Sequence, residues 1–95
     1  MADWVACKAN DNFNNISTCL NLNSISYFQI DIDTNDSWNN KLTFFFENGL
    51  SIYSSVSKSL SEHQIISNLQ KIREEDTDII SCDEFFNKIS VISSF

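Results

Sequence analysis

Proline is absent from this chain of 95 residues, and glycine occurs only once, at Gly49. Loops that cradle nucleotide phosphates need several glycines, because side chains would keep the backbone away from the phosphate. A single glycine excludes these loops and the nucleotide-binding enzymes that are built on them. Turns must instead use the abundant Asn, Asp and Ser, whose side chains hydrogen-bond to the neighbouring backbone.

Cysteine and histidine are scarce. Cys7, Cys19 and Cys82 are far apart in the sequence, so they match neither a disulfide framework nor the closely spaced pairs of a zinc site. His63 is the only histidine, and any Cys–His or Ser–His nucleophilic pair would have to include it. We expect buried, apolar thiols and a solvent-facing His63. No enzymatic activity, no metal site and no cofactor is therefore expected.

Basic side chains are also few, six against thirteen carboxylates, which gives a formal net charge of −7. This charge repels nucleic acid and anionic membranes and attracts basic protein surfaces. Long apolar runs are missing, and the acidic opening of the chain does not resemble a secretion leader. A cytoplasmic protein that binds neither nucleic acid nor a membrane is expected.

Aromatic residues are plentiful, with eight Phe, two Trp and two Tyr. A buried aromatic side chain removes roughly 150–250 Å² of surface from water, so this composition indicates a packed core and not intrinsic disorder. A chain of this length has room for one such core. Residues 1–95 are therefore expected to form a single domain.

Apolar and polar residues alternate with a period of two, which is typical of strands with one buried face. Residues 3–9 are a short extended candidate, and the alternation is found in residues 19–25, 27–33, 41–47 and 50–54. Asn48-Gly49 lies between the last two segments and predicts a hairpin with a type I′ turn, which requires positive φ at both residues. Residues 34–40 are expected to form a polar loop that carries Trp38.

Helical patterns follow the strands. Two overlapping capping boxes, Ser59–Glu62 and Ser61–Gln64, precede an apolar stripe with helical spacing, and this helix is expected to end at residues 73–76. A third capping box, Ser81–Glu84, predicts a second helix, although the sequence leaves helix and strand open for residues 82–95.

Strands followed by helices are typical of the α+β class. We expect a small antiparallel β-sheet of about four strands, including the Asn48-Gly49 hairpin, packed against two C-terminal helices.

Seven carboxylates are concentrated in two short segments, one at the end of a predicted strand and one between the two predicted helices. They are Asp31, Asp33 and Asp36 in the first segment, and Glu74, Glu75, Asp76 and Asp78 in the second. Such groups either keep a small domain soluble or dock a basic partner. Trp38 follows the first group and is either an interface anchor or a lid that folds back over the core.

The first acidic segment partly matches a calcium-binding loop. Asp31, Asp33 and Asn35 occupy its first, third and fifth positions. Asp36 stands where that loop needs glycine, and Leu42 stands where it needs a bidentate glutamate. A calcium site is therefore not expected.

The composition resembles that of small acidic inhibitors, a class that includes anti-CRISPR proteins and immunity proteins against nuclease toxins. The resemblance implies a non-enzymatic protein that occludes a basic, nucleic-acid-binding protein or nucleoprotein complex, with carboxylates in place of phosphates. The residues expected to contact the partner are Asp31, Asp33, Asp36, Trp38, Glu74, Glu75, Asp76 and Asp78.

The alternative is a structural subunit that assembles into a homo-oligomer. Phe45 is expected on the sheet face opposite Phe44 and Phe46, so an aromatic face stays uncovered if helices pack on one side only. A structural subunit would bury that face against copies of itself, and the sequence leaves the oligomeric state open. For the inhibitor, Trp4 and Tyr53 are further candidate anchors beside Trp38.

Overall fold

The computed structural model describes residues 3–8 and 17–92. The elements are β1 (Trp4–Lys8), β2 (Ser17–Asn21), β3 (Ile25–Asp31), β4 (Asn39–Phe46), β5 (Ser51–Ser57), α1 (Glu62–Arg73), β6 (Ile79–Ser81) and α2 (Cys82–Ile89). A short 3-10 turn, Leu22–Ser24, connects β2 to β3. The predicted α+β class is confirmed.

The first sheet has the strand order β2-β1-β6. Its central strand, β1, is antiparallel to β2 and parallel to β6, so that Trp4 lies opposite Asn21 on one side and Ile79 on the other. Val5 and Ile80 point from this sheet into the core and are almost fully buried. Their neighbours Trp4 and Ile79 are exposed, as expected for a sheet with one covered face.

The second sheet is an antiparallel meander with the order β3-β4-β5, in which Phe44 lies opposite Phe28 and Ile52. The described residues thus contain six strands in two sheets, more than the expected four or so in one, and one pair of strands is parallel. The short β6 accounts for the parallel pair and for one of the additional strands. Three residues are too few to display a period of two, and no turn signal links β6 to a partner strand near the start of the chain.

The hairpin between β4 and β5 forms where predicted but has a different turn. Gly49 N donates to Phe46 O (3.0 Å), and Leu50 N donates to the Asn48 side-chain oxygen (3.0 Å). Gly49 has φ of 86°, and no other described residue has positive φ. The expectation of a type I′ turn is therefore wrong. The connection is a three-residue loop with a left-handed last residue, because Asn48 forms an Asx turn with Leu50 instead of adopting positive φ.

Phe44 lies at the centre of the core. Its ring centroid is 5.3 Å from that of Phe85, 6.0 Å from that of Phe86 and 5.8 Å from that of Phe28. Tilted and edge-to-face ring pairs of this kind are the arrangements that aromatic quadrupoles favour. Helix α2 therefore covers the Phe44 face of the second sheet, which we call the inner face. The opposite side is called the outer face.

Both helices begin at serine caps. Ser61 Oγ accepts a hydrogen bond from Gln64 N (3.2 Å) and Gln64 Oε1 accepts one from Ser61 N (3.5 Å), so the later of the two overlapping capping boxes starts α1. Ser81 Oγ accepts from Glu84 N (3.1 Å) at the start of α2. Residues 82–89 are thus helical, and the chain leaves the helix before residue 91.

Asn68 joins the two helices. It lies in α1 and is only 5% exposed, yet its Nδ2 donates to the carbonyl oxygens of Ile89 and Val91, both at 2.8 Å. The last carbonyl groups of a helix have no partner within the helix. Asn68 supplies donors at the end of α2 and thereby orients α2 against α1.

Candidate functional site

The first acidic segment closes one end of the second sheet, and we call residues 31–38 the strand-end loop. One carboxylate oxygen of Asp36 accepts hydrogen bonds from the backbone N–H groups of Trp38 (2.8 Å) and Asn39 (3.0 Å). These bonds lower the pKa of the Asp36 carboxyl below its ordinary value of 3.8, because they favour the ionised form. Asp36 is therefore a brace of this loop as well as a negative charge.

The other two aspartates of the loop also have partners. Asp33 Oδ1 accepts a hydrogen bond from Asn35 N (2.9 Å), and Lys58 Nζ donates to the Asp33 carbonyl oxygen (2.6 Å). Asp31 Oδ1 accepts from Gln29 Nε2 (2.9 Å). Both Asp31 and Asp33 remain exposed to solvent. The loop is thus held in shape while two of its charges stay accessible.

Trp38 projects from the strand-end loop with 80% of its surface exposed, and Ile32 in the same loop is 74% exposed. The interpretation of Trp38 as a lid over the core is therefore wrong. Its backbone is fixed, because its N–H donates to Asp36 and its carbonyl oxygen accepts from Lys58 N (2.9 Å), but the indole points into solvent. Two large apolar side chains are accordingly presented among three carboxylates on one braced loop.

The second acidic segment, residues 74–78, is called the helix link. Glu74 is the C-cap of α1, so the other carboxylates lie beyond the helix end, as expected from their unfavourable interaction with the helix dipole. The link leads directly into β6. The carbonyl oxygen of Asp78 accepts from Asp3 N (3.3 Å) and Trp4 N (3.2 Å), which ties the link to the start of β1. The expectation of a simple connection between two helices is therefore corrected.

One charge of the helix link is compensated. Both carboxylate oxygens of Glu75 lie 2.5 Å from Lys88 Nζ, and Glu84 Oε1 lies 3.5 Å from the same nitrogen. The hydrogen bond to Glu75 raises the pKa of Lys88 above its ordinary value. Glu74, Asp76 and Asp78 are exposed. The link therefore offers fewer uncompensated charges than its sequence suggests.

The two acidic segments lie at opposite ends of β3. The strand-end loop begins at Asp31, the last residue of this strand. Helix α1 ends near its beginning, where Arg73 Nη2 donates to the carbonyl oxygen of Leu22 (2.7 Å). A seven-residue strand spans roughly 20 Å at about 3.4 Å per residue. The eight residues predicted to contact a partner therefore form two separate groups, one containing Trp38 and one without an aromatic side chain.

The outer face of the second sheet carries aromatic side chains, as predicted for Phe45. Tyr27 and Phe45 stack with ring centroids 4.5 Å apart and planes 14° apart. Lys41 Nζ lies 4.2 Å from the ring centroid of Tyr53, a cation–π contact. Tyr27 and Tyr53 are more than half exposed. This face is open to solvent in the described part of the chain.

Trp4, the other tryptophan, is 42% exposed. It lines a depression of about 410 Å³ between the two sheets together with Cys19, Phe46 and Glu47. The depression is only partly enclosed, whereas sites for small molecules usually enclose most of their ligand. It does not have the shape of a substrate pocket.

Side chains suited to metal binding or nucleophilic chemistry are dispersed. No three His, Cys, Asp or Glu side chains in the described part of the chain are placed to hold a metal ion. His63 is exposed in the first turn of α1, as expected. Cys19 is exposed, so the expectation of a buried thiol is wrong for this residue, which faces away from the core next to inward-facing Leu20. Cys82 packs against the core, and the Cys7 side chain lies outside the described residues.

Ile32 is the site residue that the sequence pattern misses. Alternation assigns it to the inner face with Phe28 and Ile30, but β3 ends at Asp31 and Ile32 falls beyond the ladder. The signal that could have found it is its position between two aspartates just before a polar loop.

No family model matches the chain, no curated protein matches its sequence, and no solved structure matches its fold. Neither described helix has the length and apolar character needed to cross a lipid bilayer.

Proposed function

We propose that the protein is a small, acidic, non-enzymatic inhibitor that acts in the cytoplasm. It would bind and occlude the basic surface of a nucleic-acid-binding protein or nucleoprotein complex, as anti-CRISPR and nuclease-immunity proteins do. The observation that carries this proposal is the 80% exposed indole of Trp38 on a loop braced by Asp36. Hot spots of protein interfaces are often large aromatic side chains, and they bind best when they are held in place beforehand.

Charge and the indole have separate tasks in the proposed mechanism. The net charge of −7 attracts a basic partner and speeds encounter. The exposed carboxylates of Asp31 and Asp33 then take positions that phosphates occupy in the partner's nucleic-acid complex, and Trp38 fixes the register by entering an apolar recess. The helix link contributes less, because Lys88 already neutralises Glu75.

The test is an inhibition assay. Cleavage of DNA and RNA by a panel of nuclease toxins and RNA-guided nuclease complexes is measured with and without the protein, at low and high salt. We expect the wild-type protein to inhibit at least one member of the panel, more strongly at low salt. Trp38→Ala should lose most of this inhibition.

The matched controls are two double variants that remove the same charge from different places. Asp31→Asn with Asp33→Asn alters the strand-end loop, and Glu74→Gln with Asp76→Asn alters the helix link. We expect the first pair to weaken inhibition more than the second. Inhibition that is insensitive to salt and equally strong in every variant would contradict the proposal, as would failure to inhibit any nuclease of the panel.

A structural subunit is the second candidate function, and the exposed outer face favours it. The Tyr27–Phe45 stack and Tyr53 form an aromatic surface that no described helix covers. Surfaces of this kind often mark contacts between proteins. Light scattering of the wild-type protein and of Tyr27→Ser tests this candidate. Oligomers that dissociate in the variant support it, and a monomer at every concentration excludes it.

A further inference from the structure

We infer that the open edge of β5 pairs with the same edge of a second copy of this chain, which joins the two second sheets into one antiparallel sheet of six strands. This inference does not rest on the proposed inhibitory function, because the strand-end loop lies outside β5. It also differs from stacking of the outer faces, since pairing of edges leaves those faces exposed.

No strand in the described part of the chain pairs with the outer edge of β5. β5 has seven residues, none of them charged, and no bulge interrupts its ladder with β4. Two other edge strands in the described part of the chain are blunted. β3 has a register shift after Ile25 and ends at a charged residue, Asp31, and β6 has only three residues. Short length, bulges and charge are the usual devices against pairing with another chain, and β5 lacks all three.

The ladder with β4 fixes which backbone groups of β5 are already used. Phe46 N donates to Leu50 O and Lys58 N donates to Trp38 O, both at 2.9 Å, at the two ends of the strand. Residues opposite each other in an antiparallel pair are hydrogen-bonded at every second position. The even-numbered residues of β5 therefore bond to β4.

The odd-numbered residues of β5 consequently direct their N–H and C=O groups toward the open edge. Ser51, Tyr53 and Ser55 are all exposed. No backbone group of another described element bonds to these three residues. Their donors and acceptors form a regular row at alternate positions, which is the pattern that an added strand needs.

The residues of β5 complement themselves in an antiparallel register. A two-fold axis at Ser54 places Tyr53 opposite Ser55 of the second copy on the outer face, and Ile52 opposite Val56 on the inner face. No charge meets a like charge within the strand. Each of these contacts occurs twice in the interface, because the two copies are related by a two-fold axis.

Charges at the two ends of β5 also favour this direction. Lys58 follows the strand, and Glu47 lies in the hairpin that precedes it. Antiparallel pairing brings Lys58 to the end of the interface where the second copy carries Glu47. Parallel pairing would place the two lysines together. The β5 edge is thus an uncharged stretch flanked by opposite charges, on a chain whose net charge otherwise opposes self-association.

Sedimentation of the full chain over a range of concentrations tests the inference. We expect a monomer–dimer equilibrium for the wild type. Ser55→Lys places two lysines near each other at the two-fold axis and should weaken dimerisation by at least about tenfold, since like charges across strands are destabilising. Gln29→Lys is the charge-matched control, because it adds the same charge to the same face at the other edge of the sheet.

A second measurement keeps the inference testable if one variant folds poorly. Amide hydrogen exchange at Ser51, Tyr53 and Ser55 should slow as the wild-type concentration rises, because these N–H groups bond to the second copy in the dimer. A dimer that leaves the three amides unprotected, or that dissociates with Tyr27→Ser and not with Ser55→Lys, is held by the outer face and overturns the inference. A monomer at every concentration overturns it as well.

Discussion

The strand-end loop and the helix link carry similar charge but use it differently. In the loop, Asp33 and Asp36 accept backbone N–H groups, and the indole of Trp38 is exposed to solvent. In the link, Glu75 is neutralised by Lys88, and no aromatic side chain is present. Carboxylates that shape a loop around an exposed apolar anchor can make a binding surface. Carboxylates that are paired or merely solvated contribute mainly solubility.

Loss of the indole should have the largest effect. Trp38→Ala is expected to weaken affinity for the inhibited nuclease by about thirtyfold or more, which corresponds to about 2 kcal/mol, the threshold for an interface hot spot. The melting temperature should stay unchanged, because the side chain is 80% exposed. Calorimetric titration and thermal unfolding measure the two quantities. An affinity change no larger than that of Tyr53→Ala would remove the distinction between this loop and the rest of the surface.

Removal of charge should have the next largest effect on affinity, and we expect this effect in the strand-end loop and not in the helix link. The double variant Asp31→Asn with Asp33→Asn is expected to weaken affinity by about tenfold at low salt, mainly through slower association, and by less at high salt. Glu74→Gln with Asp76→Asn should change affinity by less than about threefold, since these carboxylates lie roughly 20 Å away along β3. Association rates measured at two salt concentrations separate the outcomes. Equal losses would mean that the whole negative field, and not the loop, guides binding.

Local signals were sufficient to predict much of the fold. Capping boxes predicted both helix starts, with Ser61 and Ser81 as the caps that form. Alternation located β3 and β4 to within two residues of their observed bounds. Pairing between β1 and β6 could not be predicted, because a three-residue strand has no readable period and its partner is distant in the sequence.

The candidate site was predictable in composition but not in geometry. The sequence places Asp31, Asp33, Asp36 and Trp38 in one segment, and the structure brings them together in one loop. The sequence does not reveal which backbone groups Asp36 binds or that Trp38 is exposed, because several arrangements of a polar loop satisfy the same residues. The neutralisation of Glu75 depends on a contact with a residue 13 positions later in the chain, beyond β6. The tertiary structure thus decides both the arrangement of the loop around Trp38 and the neutralisation of Glu75.

Stability should depend on Asp36 and not on an aspartate of the helix link. Asp36 is braced by two backbone N–H groups, and its pKa in the folded protein is lowered from 3.8. A lowered pKa contributes stability that is fully present above pH 3.8 and is lost as the pH falls through the folded value. Asp36→Ala is therefore expected to lower the melting temperature at neutral pH, and its difference from the wild type should shrink in acid. Asp76→Ala is the control and should melt like the wild type at both pH values.

The smallest effect on the melting temperature is expected from breaking the ion pair between Glu75 of the helix link and Lys88. The pKa of Lys88 is raised above 10.5, so its contribution is fully present below pH 10.5 and is lost as the pH rises through the folded value. Glu75→Gln should lower the melting temperature slightly at neutral pH, by less than Asp36→Ala, because both side chains are about one-third exposed and solvent screens the pair. In strong alkali the variant and the wild type should converge. Glu74→Gln removes the same charge one residue earlier and should have no effect, so equal melting temperatures for the two glutamine variants would show that the link contains no structural pair.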